Sequence, residues 1–240
     1  MKARKEAMNE LFKRSFQIKE TQGTIIADKE SGIETAIESI KYHRKELENY
    51  QKINPKFFWT LKPTPIPREP IVAKLMAEAA EKAAVGPMAA VAGVISDLAV
   101  QAMLRKGCRV AVVEDGGEVS ATSDQQIDVA LIAGNTTFSR KFGFRLVDFP
   151  VGVATSSGRF SHALSFGDAD AATIFCRNAG LADAAATATC NAVKGNDPEE
   201  AIKQGIETAM SIEGVNGVLI IFQDKTGTAG KIPQIIKVKP

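Results

Sequence analysis

Gly158 to Val193, GRFSHALSFGDADAATIFCRNAGLADAAATATCNAV, decides how this chain is read, because it gathers hydroxyls, a histidine, acids and a thiol within a run of small residues. At its end Asp183, Thr187 and Cys190 lie four and three residues apart. At helical pitch that spacing sets a carboxylate, a hydroxyl and a thiol along one narrow stripe. A carboxylate with a hydroxyl one turn later is a hard-oxygen pair suited to Mg²⁺, which is commonly held by one or two carboxylates together with substrate phosphates. An aspartate near a helix start also serves as a cap, and spacing alone leaves both readings open.

Around this stretch the chain has 240 residues, 45% hydrophobic and 24% charged, which is enough to bury a proper core and typical of globular domains. A net charge of +2 and 6% aromatic residues give no pattern of basic and stacking side chains, so nucleic acid is not an expected partner. Cys108, Cys176 and Cys190 lack C-x-x-C spacing, which argues against a zinc site or a redox pair. The N-terminal MKARKEAMNELFKRSF carries charges throughout and no apolar core, so it does not read as a secretory signal, and a cytoplasmic location is expected. Ala83 to Leu104 is long enough to cross a bilayer. Its apolar content is largely alanine and glycine, and it includes Pro87, Asp97 and Gln101, so a buried segment is expected and no membrane partner.

A charged leader over 1–14 precedes two short strands, Ser15 to Lys19 and Gly23 to Ala27, that can form a hairpin. Apolar positions from Ile33 to Tyr50 recur at helical spacing. Five prolines between Pro55 and Pro70 mark a connector that Phe57, Phe58 and Trp59 pin to the core. Helices are expected over Ile71 to Ala84 and Met88 to Lys106. Strands follow at Arg109 to Glu114, Glu118 to Ala121, Val129 to Ala133, Phe144 to Val147 and Val151 to Thr155. Asp197, Pro198 and Glu200 start a helix as cap, first-turn proline and capping-box acid. Val215 to Phe222, a turn at Lys225 to Gly230 and a strand from Ile232 to Val238 close the chain. The mixed order of strands and helices favours α+β over a doubly wound parallel sheet.

GPMAAVAGVISD at Gly86 to Asp97, VVEDGGEVSA at Val112 to Ala121, ATSSG at Ala154 to Gly158, SHALSFGDAD at Ser161 to Asp170 and ADAAATATCN at Ala182 to Asn191 stand in that order. Together they resemble the ApbE superfamily, and more narrowly an uncharacterised branch of it found in archaea and anaerobic bacteria. The resemblance runs from about Gly23 to the C-terminus and implies one ApbE-like (T-fold-like) α+β domain over 15–240, with mixed or antiparallel sheets and packed helices. The characterised members are FAD:protein FMN transferases, which use Mg²⁺ to cleave FAD and attach FMN to a hydroxyl of a target protein. The resemblance therefore implies FAD or FMN and Mg²⁺ as ligands and a protein acceptor as partner. Asp183 and Thr187 match the metal-binding pair. Asp115, Gly116, Gly117 and Glu118 match a turn that passes close to the flavin nucleotide, an approach that glycine suits. Thr155, Ser156, Ser157 and Gly158 match a turn facing the ligand, and His162 matches a histidine implicated in catalysis.

The departures are specific. Ala92 stands where the transferases carry a lysine, and the turn reads DGGE in place of NGGD. With no export signal, the acceptor implied is cytoplasmic. The branch has also been linked to sulfur assimilation and homocysteine formation, so a competing expectation makes Cys190 a reactive thiol or persulfide carrier. A third expectation is a binding protein without chemistry. The sequence leaves assembly into a homo-oligomer open, and Gly116 and Gly117 also fit a plain hairpin turn.

Overall fold

The structure, a computed structural model, describes residues 11–130, 142–158 and 166–237. β1 (Phe12–Ile18) and β2 (Thr21–Ala27) form the expected antiparallel hairpin. β1 begins within the stretch read as a charged leader, so the sheet starts before residue 15. α1 (Glu30–Ile53) outruns the apolar pattern at both ends; Ile33, Ala36, Ile40 and Leu47 bury one face, and charged side chains solvate the rest. The proline-rich connector holds one short helical turn, α2 (Lys56–Trp59). Phe57 does pin it, 4% exposed and edge-on to Tyr50 with ring centroids 5.2 Å apart. Trp59 does not: it is 78% exposed, because a single turn can bury only one side of itself.

α3 (Ile71–Lys82) follows, then a 3₁₀ turn at Pro87–Ala90 that runs into α4 (Val91–Arg105). Pro87–Arg105 is long and apolar enough to cross a membrane by length and composition. In this fold α4 lies against α1, α5 and the strands beneath, as its buried Val94, Ile95, Leu98 and Met103 require. β3 (Ala111–Asp115), β4 (Glu118–Thr122), β5 (Ile127–Ala130), β6 (Phe142–Leu146), β7 (Val151–Ser156) and β8 (Ala171–Cys176) build the sheets. α5 (Ala179–Ala192), α6 (Pro198–Ser211), β9 (Val215–Phe222), β10 (Lys225–Gly230) and β11 (Gln234–Lys237) complete the chain. Asp197 caps α6 through the N–H groups of Glu199 and Glu200, a contribution of about 1 kcal/mol. Lys225–Gly230, read as a turn, is a strand; the reversal sits just before it, where Gln223 has φ 55.

The architecture is α+β with antiparallel sheets throughout. Eight strands run in the order β1-β2-β3-β4-β7-β8-β9-β10, and β11-β6-β5 form a second sheet. Strand alternation sends Ile25, Val113, Ala154 and Ile174 to one face, where they pack with the helices. It sends Val112, Val119, Val153 and Phe175 to the other, where they meet Phe144 and Leu146 of the smaller sheet. β8 escapes sequence reading for this reason: AATIFC is buried on both faces and shows no alternation to detect.

Candidate functional site

The N-terminal turns of α4 and α5 meet so closely that only glycine fits. A Cβ on Gly93 would stand 2.2 Å from the Ala179 carbonyl oxygen, and one on Gly180 would stand 2.5 Å from Cγ2 of Val94. Each helix sends a carboxylate to the start of the other. Asp183 Oδ2 accepts the Gly93 N–H at 3.0 Å, and Asp97 accepts the N–H groups of Ala179 and Gly180, both at 2.9 Å. Asp97 also accepts the Ser120 hydroxyl at 2.6 Å, while Asn178 caps the next α5 amide, that of Leu181, at 2.8 Å. The orphan donors of both helix starts are thus met by side chains, with the macrodipoles favouring the negative charge.

Below this crossing lies the hairpin between β3 and β4. Asp115 pairs with Glu118, and Gly116 and Gly117 turn the chain with φ of 68° and 116°. Two consecutive positive angles are those of a type I′ turn, which explains both glycines without any ligand. Alternation places Asp115 and Glu118 on the helix-facing side, as it does Ser120, which reaches Asp97. Glu114 points the other way and accepts the Gly117 N–H at 3.0 Å.

Charge is therefore crowded at this end of the sheet. Burial, and then the charge of Asp183, push the Glu118 carboxyl well above its ordinary range. Burial pushes Asp183 up to about 7 against the pull of the Gly93 N–H, and the charge of Asp115 adds to the rise. Asp115, 5% exposed, is pushed up to about 7 by burial and by Glu114, with Arg44 of α1 acting in the opposite sense. Among the described residues, no three His, Cys, Asp or Glu side chains converge as a metal-holding group. The donors still suit Mg²⁺. The charges of Asp183 and Glu118 oppose one another, a repulsion that a cation would neutralise, and Asp183 keeps lone-pair sites beyond its amide bonds. Thr187, 8% exposed, supplies a hydroxyl one turn further along α5, and an ion that retains waters or substrate oxygens needs few protein ligands.

The TSSG turn divides between the faces. Thr155 is bonded to Thr173 across β7 and β8, hydroxyl to hydroxyl at 2.9 Å, on the face that meets the smaller sheet, so it does not look toward the carboxylates. Ser156 faces the helices, is 5% exposed, and its Oγ has no hydrogen-bond partner. β4 and β7 pair through Val119 and Val153, and continuing that register sets Ser156 beside the Gly116–Gly117 turn. Ser157 is 8% exposed. A Cβ on Gly158 would stand 1.8 Å from the Gly167 carbonyl oxygen, and one on Gly167 would stand 1.6 Å from that of Cys190. Gly167 is thus fastened against the last turn of α5 and Gly158 against Gly167, and Asn191 also accepts the Phe166 N–H at 2.7 Å. His162 itself lies outside the described residues. Cys190 is completely buried, without the exposure that a reactive thiol needs.

A family model described as AbpE bacteria matches residues 6–226. The chain belongs to this AbpE family. A UPF0280 protein of Methanococcus vannielii is 40% identical to it over 235 residues, which are 96% of this chain and 95% of that protein. The UPF0280 protein of Methanocaldococcus jannaschii is 38% identical over 231 residues, 94% of this chain and 93% of its own. Among solved structures, the apo flavinyl transferase ApbE of Pseudomonas stutzeri superposes with a TM-score of 0.63 at 13% identity, covering 92% of this chain and 94% of that one. The ApbE protein of Thermotoga maritima gives a TM-score of 0.57 at 14% identity, covering 96% and 97%. These likenesses establish the ApbE fold for this AbpE-family chain.

Sequence patterns single out Asp183, Thr187 and the DGGE turn, and the fold brings Asp183 within electrostatic reach of Glu118. Two charged residues near them, Asp97 and Arg44, are less legible. Asp97 stands out as an acid interrupting an apolar segment and as the last residue of the GPMAAVAGVISD motif, with no role attached to it. Arg44 gave no signal, since a basic residue on an amphipathic helix reads as surface.

Proposed function

We propose that this protein handles a flavin nucleotide and transfers FMN from FAD to a hydroxyl of a cytoplasmic protein acceptor. One observation carries the reading: α5 holds Asp183 close enough to Glu118 of the DGGE turn for their charges to oppose each other, on a fold shared with solved flavin transferases. Asp183 and Thr187, with Glu118 facing them, would hold Mg²⁺, which when bound supplies charge neutralisation to phosphate oxygens. The DGGE turn gives a ligand close access to backbone, because a glycine at 117 has nothing within 4 Å of where its Cβ would be. Ser156 offers an unused hydroxyl beside that turn. In the reaction the acceptor hydroxyl oxygen bonds to the FMN phosphorus, the bond from that phosphorus to the AMP oxygen breaks, and AMP departs. The hydroxyl proton goes to a base, the part His162 would play.

The test is AMP release and covalent flavin on an acceptor domain, followed with FAD and Mg²⁺ for wild type and Asp183→Ala. Metal-dependent AMP and flavinylated acceptor, both lost in the variant, are expected. Turnover surviving in Asp183→Ala would remove the metal assignment, and wild type inert where an authentic transferase works would remove the activity.

A further inference from the structure

We propose that Arg44 is the anion-contacting residue of this site, meeting the diphosphate of a nucleotide ligand from the α1 side of the DGGE turn. The placement follows from the sheet. Arg44 Nη1 donates to the hydroxyl of Thr21, and Nη2 donates to Glu20 at 2.8 Å. Thr21 lies two residues from Gly23 on β2, Gly23 pairs with Asp115, and Gly116 donates to the Gln22 carbonyl at 3.1 Å. Thr21 and Asp115 share the helix-facing side, so the guanidinium lies over the same sheet end as the acid cluster. Its charge is felt at Asp115, yet Asp115 is not among its hydrogen-bond or ion-pair partners.

The guanidinium is also under-used. The Arg44 side chain is only 17% exposed, its one carboxylate partner among the described residues, Glu20, is 78% exposed, and its Nε is buried with no hydrogen-bond partner among them. A buried donor left unmade is costly, and an always-charged planar fork is suited to a phosphate oxygen. A second unpartnered polar atom lies on the same face at the far side of the turn: Oγ of Ser156, a residue 95% buried by its 5% exposure. Reading across β2, β3, β4 and β7 gives Arg44 over Thr21, then Asp115, then Glu118, then Ser156. Carboxylates that suit a cation occupy the middle, and donors without a protein partner flank them. A diphosphate carrying a cation would satisfy both kinds of group, the carboxylates holding the cation and Arg44 and Ser156 donating to phosphate oxygens.

The identity of the nucleotide rests on the flavin reading above; the anion contact does not. Calorimetric titration of wild type, Arg44→Gln and Arg44→Lys with inorganic pyrophosphate, FAD and riboflavin, each with excess Mg²⁺, separates the two. Wild type binds pyrophosphate and FAD, and Arg44→Gln weakens both by about 10- to 100-fold, the range for a charged hydrogen bond. Riboflavin, which has no phosphate, responds equally to wild type and variant. Arg44→Lys falls between, and serves alone if Arg44→Gln does not fold. Arg44-dependent pyrophosphate binding without FAD binding supports the inference and overturns the flavin reading. Wild type that ignores pyrophosphate, variants that bind it as wild type does, or an equal loss for FAD and riboflavin overturns the inference.

Discussion

Asp97 and Asp183 cap each other's helices: Asp97 on α4 takes the first two amides of α5, and Asp183 on α5 takes the Gly93 amide of α4. The exchange fixes how α5 crosses α4, and with it the place from which Asp183 opposes Glu118 of the DGGE turn. The two acids differ in what they have left to offer. Asp97 is filled by three donors, whereas Asp183 opposes another carboxylate.

Asp97→Ala should therefore be costly even though Asp97 lies outside the proposed ligand set. It strands two helix-start amides and the Ser120 hydroxyl, a loss of roughly 2–4 kcal/mol. Urea unfolding measures this. A variant within experimental error of wild type would mean that water replaces the carboxylate without penalty.

Gly93→Ala forces a Cβ to 2.2 Å from a backbone oxygen that no side-chain motion can relieve. A loss of about 1–3 kcal/mol is expected from overpacking. Gly117→Ala is the comparison: it meets nothing within 4 Å but sits at φ 116°, so its cost of roughly 1 kcal/mol is conformational alone. Equal melting temperatures for Gly93→Ala and wild type would contradict the close helix contact.

Asp115 and Asp183 give the site a pH signature. Their folded values of about 7 lie above the ordinary 3.8, so the native state holds protons that the unfolded chain has released. Their stabilising contribution is full below about pH 4 and is lost as pH rises to about 7. His43, pushed down by burial, works in the opposite sense, so the informative quantity is the difference between wild type and Asp115→Asn. The variant should gain roughly 1–3 kcal/mol relative to wild type between about pH 5 and pH 8. A pH-independent difference would count against the crowded carboxylates.

Glu118→Gln removes the charge that opposes Asp183. Without metal it should raise the melting temperature near neutral pH, and it should reduce the further rise that millimolar Mg²⁺ gives wild type. Differential scanning fluorimetry with and without Mg²⁺ reads both effects. An unchanged Mg²⁺ response in Glu118→Gln would exclude Glu118 from the cation's surroundings.

Within the TSSG turn, Ser156→Ala should weaken FAD binding, while Thr155→Val should leave it alone, because the Thr155 hydroxyl is spent on Thr173. Titration of the two variants decides it. The reverse order would place the ligand on the other face of the sheet.

Local patterns in the sequence determined a good deal of this protein. The cap at Asp197, the period of α1, the glycines of the DGGE turn and the four-residue step from Asp183 to Thr187 depend on neighbours in the chain, and each forms close to where it was read. Ordered motifs placed the chain in its superfamily. Only the tertiary structure decided which way those pieces face. The pleat sends Ser156 to the helices and its neighbour Thr155 to the smaller sheet, and β8 hides because both its faces are buried. Asp97 becomes a cap only because α5 begins beside it, and Arg44 joins the acid cluster only because α1 crosses the end of β2. These relations join residues tens of positions apart through burial and electrostatics, and such forces depend on distance in space, which a local pattern of residues does not encode.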